Sequence, residues 1–144
     1  MAVPDIIELK NLQNSFDDGV FTPETPADVE NIAVNSDTLV TLGAIRKGDF
    51  QKLFFTILNI GANPLDIIFS QASPNDVVAT DDPIPPPPDE LSVEWFELPN
   101  GSLSVLANAN NARKVTDKWA WVMIRYARTN AGQNTTLTLR IRGQ

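Results

Sequence analysis

The sequence contains no cysteine and no histidine. The first absence removes disulfides, thiolate nucleophiles and zinc–thiolate sites together. The second removes the usual general base near neutral pH and the commonest transition-metal ligand. Long hydrophobic runs are missing as well. Apolar runs are a few residues, such as Leu53–Phe55, far short of the roughly 20 that span a bilayer. No membrane partner is expected. The opening MAVPDIIELK lacks a basic region followed by an apolar one, so no secretory signal is visible there, although a cleaved signal would leave no trace.

What is present is 144 residues, 42% of them hydrophobic, which is enough for one ordinary domain with a sizeable core. The net charge of −7 is unevenly spread. Residues 1–100 carry 17 acidic and 4 basic side chains, whereas residues 101–144 carry 1 acidic and 7 basic. An acidic front and a basic back attract each other, within one chain or between neighbours.

Residues 1–36 hold seven acidic residues against the single Lys10, with Pro4, Pro23 and Pro26 and little periodicity. Ile6, Ile7, Leu9, Phe16 and Phe21 are isolated apolar anchors. Such a stretch cannot bury enough surface to fold alone, and it reads as an extended N-terminal arm. Residues 37–144 then read as a β-domain. Thr38–Ala44 is a short strand. In Phe50–Ile60, Leu53, Phe55 and Ile57 share one face. Gly61-Ala62-Asn63-Pro64 turns the chain, after which Leu65, Ile67 and Phe69 alternate with Asp66, Ile68 and Ser70, the period-2 pattern of a half-buried strand.

Residues 71–92 are irregular, and the prolines at 83 and 85–88 favour polyproline II geometry over a sheet interior. Val93–Leu98 and Ser102–Leu106 flank Pro99-Asn100-Gly101, which predicts a hairpin with a tight Asn-Gly turn. In Trp119–Arg128, Val122, Ile124 and Tyr126 occupy one face and Trp121, Met123 and Arg125 the other, with Trp119 on the face of Trp121. In Thr135–Arg142, Leu137, Leu139 and Ile141 alternate with Thr136, Thr138, Arg140 and Arg142. About seven strands without a convincing helix predict a two-layer antiparallel sandwich.

Three segments carry a resemblance: the run from Phe55 through Asn59, Gly61 and Pro64 to Leu65, the strand WAWVMIRYAR, and the closing strand NTTLTLRIRG. Together they resemble the small immunoglobulin-like sandwich modules of tailed-phage virion proteins, especially capsid decoration (cement) proteins. The resemblance implies an immunoglobulin-like fold and a non-enzymatic structural role on the capsid surface. It also implies a homo-oligomer, a trimer at a symmetry axis, with the major capsid protein or another virion protein as partner. It brings no catalytic residues and no cofactor.

The candidate sites agree with that reading. Asp81-Asp82 and Asp89-Glu90 lie in a proline-rich loop, where solvated charge is the ordinary state. Glycoside hydrolysis needs two carboxyls held across a cleft, and their spacing matches no calcium loop. Gly101-Ser102-Leu103-Ser104 is not a nucleophile elbow. Asn100-Gly-Ser and Asn134-Thr-Thr match the glycosylation pattern but serve most simply as turns. Trp95, Trp119 and Trp121 suggest an aromatic platform, so a carbohydrate- or receptor-binding module is the alternative. A strand apolar on both faces points instead to a protein contact. Arg125, Arg128, Arg140 and Arg142 are expected to form a basic stripe on adjacent strands that meets acidic protein. Nucleic acid is not expected, because the chain as a whole repels phosphate. The expected interface therefore comprises Ile6, Ile7, Leu9, Phe16, Phe21, Trp119, Trp121, Arg125, Arg128, Arg140 and Arg142.

Overall fold

A computed structural model describes residues 4, 6–7, 27–46, 52–72, 89–90, 95–116 and 121–143. These residues form eight strands and no helix: β1 (Ala27–Val34), β2 (Val40–Arg46), β3 (Leu53–Asn59), β4 (Leu65–Ala72), β5 (Trp95–Val105), β6 (Asn110–Val115), β7 (Trp121–Arg128) and β8 (Thr135–Gly143). They make two four-stranded sheets, β1-β8-β3-β6 and β2-β7-β4-β5, and every pairing is antiparallel. The antiparallel sandwich expected from the sequence is therefore present. Its strand order refines that expectation. Successive strands mostly cross from one sheet to the other, giving an eight-stranded jelly roll in place of the immunoglobulin-like connectivity of about seven strands.

Alternation explains the core. Leu53, Phe55 and Ile57 of β3 and Leu137, Leu139 and Ile141 of β8 meet Leu65, Ile67 and Phe69 of β4 and Val122, Ile124 and Tyr126 of β7 between the layers. Phe55 and Phe69 pack across the interface with ring centroids 4.8 Å apart. All four strands are central in their sheets.

The edges depart from the sequence reading. The arm does not extend to residue 36, because Ala27–Val34 is β1 and pairs with β8. Its register shifts between Val29 and Ile32, where Asn31 takes a positive φ of 56°. That irregularity breaks the period-2 pattern and hides the strand. The predicted hairpin at Asn100-Gly101 is also absent. Residues 95–105 form one strand, and its pairing with β4 jumps from Ser70↔Glu97 to Ile68↔Ser102. Leu98–Gly101 thus bulge opposite Phe69, and Asn100 supplies the positive φ of 54° that the bulge needs. β6 went unrecognised because NNARKV buries only Val115.

One end of the sandwich is knitted by side chains. Asn59, 2% exposed, donates from Nδ2 to the carbonyls of Asn63 (2.7 Å) and Val105 (3.0 Å). Its Oδ1 accepts from Gly61 N (3.1 Å) and Thr135 Oγ1 (2.7 Å). Nearby, Asn63 Nδ2 donates to the Asn134 carbonyl at 2.8 Å. Arg128 donates from Nε to Asp37 Oδ1 and from Nη1 to Asn134 Oδ1, both at 2.6 Å. The hydrogen bond from Arg128 holds the Asp37 carboxyl below its ordinary value and raises the guanidinium in return. The loops after β1, β3 and β7 and the end of β5 are thereby tied together.

Candidate functional site

The outward face of the β1-β8-β3-β6 sheet gathers much of the exposed positive charge. β8 turns Leu137, Leu139 and Ile141 into the core, so Arg140 and Arg142 face the other way. On β3 the same rule sends Phe54, Thr56 and Leu58 outward, and on β6 it sends Ala112 and Lys114 outward. Register then brings them together. Phe54 aligns with Arg142 on one side and Lys114 on the other, and Thr56 aligns with Arg140 and Ala112. Directly opposed residues place their Cβ atoms within about 5.5 Å of each other. Phe54 is 36% exposed; Lys52, Lys114 and Arg140 are exposed and Arg142 is half-buried. At the rim, Asp28 of β1 aligns with Arg140. The result is an aromatic ring framed by cations on a flat, hydrogen-bonded support.

The expected interface residues do not form one surface. β7 and β8 lie in different sheets, so Arg125 and Arg128 cannot join Arg140 and Arg142 in a stripe on adjacent strands. Arg125 is half-buried on the outward face of the other sheet, with Nη2 3.5 Å from Ser70 Oγ. Arg128 is engaged with Asp37 and Asn134. Trp121 faces away from the main core, as expected, yet it is 3% exposed and clusters with Ala44, Ala72, Met123 and Trp95. It is not a surface for a partner. Ile6 makes a parallel bridge to Ala44 at the β2 edge and stays exposed, while Ile7 donates its N–H to the Ala44 carbonyl and packs on the core. Leu9, Phe16, Phe21 and Trp119 lie outside the described residues, as do the polyproline stretch and Asp81-Asp82.

Sequence reasoning missed Lys52, Phe54 and Lys114. The signal for Phe54 was there, since alternation placed it opposite Leu53 and Phe55. Lys114 had none, because β6 carries no apolar pattern. Among the described residues, no three acidic side chains gather as a metal would require.

No protein-family model and no curated protein matches the chain. Among solved structures it is similar to PirA, with a TM-score of 0.55 and 12% identity, covering 83% of this chain and 96% of that one. It is also similar to the Yersinia pseudotuberculosis-derived mitogen, with a TM-score of 0.45 and 8% identity over 82% of this chain and 85% of that one. The first likeness shows the fold alone. The chain is an all-β, two-sheet sandwich protein.

Proposed function

We propose that this chain is a non-enzymatic structural protein of a virion, a capsid decoration (cement) protein that grips the shell with the outward face of its β1-β8-β3-β6 sheet. The observation that carries this reading is Phe54 flanked in register by Arg142 and Lys114, with Arg140 two residues along β8 and exposed Lys52 just before β3. Aromatic and arginine side chains are the residues most enriched at protein contacts. A jelly roll offers the rigid sheet they need, and viral capsid domains use that architecture. The same architecture serves lectins, but the burial of Trp121 deprives a sugar platform of one of its three candidate rings.

Acidic protein on the shell is the complementary surface. Each exposed ion pair contributes only about 0.2–1 kcal/mol. Copies joined as a homo-oligomer, a trimer at a symmetry axis, multiply that weak attraction through their shared geometry. Binding then weakens with salt but persists, because the contact of Phe54 is not screened. The test is release from purified particles that carry the protein, followed across a salt series. R140E/R142E should come off at lower salt than the parent, and F54A should lower retention at every salt concentration. If both variants are retained like the parent, this face is a solvated sheet surface and the reading fails.

A further inference from the structure

The sandwich has a second cationic feature, on its side and not on its face. β6 is the edge of one sheet and β5 the edge of the other, and between them opens a cleft of about 130 Å³ lined by Leu98, Pro99, Arg113, Lys114, Val115 and Thr116. Arg113 aligns with Phe55 and shares the face of β6 that buries Val115. Its guanidinium therefore enters the space between the layers, beside Leu98 from the opposite sheet. There Nε and Nη2 are both buried, and neither has a hydrogen-bond acceptor among the described residues.

That arrangement is costly unless something completes it. A buried donor without a partner forfeits about 1–3 kcal/mol, and more when it is charged. Nε and Nη2 are moreover adjacent donors along one edge of the planar fork. This is the edge that meets both oxygens of a carboxylate in two parallel hydrogen bonds. Leu98, Pro99 and Val115 offer apolar walls for a short stem, and Thr116 adds a hydroxyl. Pockets for whole small-molecule ligands usually run to about 300–1,000 Å³, so this cleft admits a small acid or the carboxylate end of something larger.

We infer that the cleft between β5 and β6 is a carboxylate-binding site, with Arg113 as its two-point anchor. Arg113 lies on the inward side of β6 while Lys114 borders both the cleft and the basic sheet face, so the two features adjoin at Lys114. The carboxylate has two possible sources: a free small acid, or an Asp or Glu side chain of an acidic peptide such as residues 1–26 of this protein.

The experiment uses the full chain with glutarate and inorganic phosphate as probes, at constant ionic strength set with sodium chloride. Thermal midpoint and the Arg113 Nε–H resonance are read together. Glutarate should raise the midpoint saturably and shift the Nε–H signal. R113M, which keeps the stem volume, should weaken glutarate binding at least about tenfold, equivalent to ~1.4 kcal/mol. Without ligand it should melt no lower than the parent, because it removes two buried donors that have no acceptor among the described residues. R113K, which keeps the charge but not the fork, should also bind weakly, and it serves if R113M does not fold. Displacement of glutarate by a synthetic 1–26 peptide identifies acidic protein as the source; failure to displace identifies small acids. The inference is overturned if glutarate leaves the Nε–H resonance unmoved, if phosphate acts and glutarate does not, or if R113M and R113K bind like the parent.

Discussion

Replacing Asn59 should unlock the knitted end of the sandwich. The side chain makes four hydrogen bonds, two through each terminal atom. Asn59→Ala strands all four partners at once. Gly61 and Asn63 are half-exposed, so water can replace their lost bonds. Val105 and Thr135 are buried, and an unmet buried group costs about 1–3 kcal/mol. Two such groups, with a small cavity added, give a loss of roughly 3 kcal/mol. That is a large share of the ~5–15 kcal/mol typical of a whole domain. In urea, a slope of roughly 1–3 kcal/mol per molar turns this into a midpoint about 1–3 M lower, with the slope unchanged. Asn59→Asp is the sharper perturbation. It keeps the acceptor for Gly61 and Thr135 but turns a second oxygen toward the carbonyls of Asn63 and Val105. Their repulsion and the burial both disfavour the charged form, so the folded carboxyl titrates above its unfolded value of about 3.9. The folded variant then holds its proton longer, and its deficit relative to the parent is greatest at neutral pH. The deficit shrinks as pH falls through the raised folded value, since the protonated acid can again donate one bond. Equilibrium urea unfolding of parent and both variants, from about pH 4 to pH 7, checks the reasoning. An alanine variant within about 1 kcal/mol of the parent, or an aspartate deficit indifferent to pH, would refute it.

Two further outcomes follow from the same physics. Gly101→Val should lower stability by about 1–3 kcal/mol, because a Cβ there would sit 2.6 Å from the Phe69 carbonyl oxygen and 2.8 Å from that of Leu98; urea unfolding measures it, and an unchanged midpoint would mean the bulge opens freely. Tyr126 is the one tyrosine in the sequence and burial raises its pKa above the ordinary 10.0. Phenolate absorbance should therefore appear later than in the urea-unfolded chain, and stability should hold below pH 10 and fall as pH rises through the folded value.

The strands that sequence reasoning read well are the central ones. β3, β4, β7 and β8 each have a neighbour on both sides, and each places three apolar residues in the core at alternate positions, with polar Asn59, Gln71 and Thr135 buried at strand ends. The edge strands were harder. β1 is interrupted at Asn31, β5 bulges at Leu98–Gly101, and β6 has one buried apolar side chain. Edges are half-paired and tolerate bulges and polar residues, so their sequences carry little of the pattern that betrays a strand. The site followed the same logic. Arg140 and Arg142 were legible from β8, a central strand. Their companions Phe54 and Lys114 depend on cross-strand register, which no local pattern encodes. Trp121 shows the converse, since an apolar residue on an outward face reads as exposed until the tertiary structure shows it buried. Arg113 was invisible because its neighbours in NNARKV give no sign that this position faces inward.

The place of β8 has a consequence for how the chain is made. β8 follows the other seven strands in sequence, yet it lies between β1 and β3 and is the only partner of β1 in its sheet. Synthesis therefore delivers β1 well before its partner, and among the described strands residues 27–34 have none to pair with until residues 135–143 emerge. Such non-local closure makes folding slow compared with local hairpins. It also leaves the nascent chain with bare edges on β1 and β3, the surfaces through which neighbouring chains would join. Until residues 135–143 pair, the gap between β1 and β3 is open to a strand from a neighbouring chain.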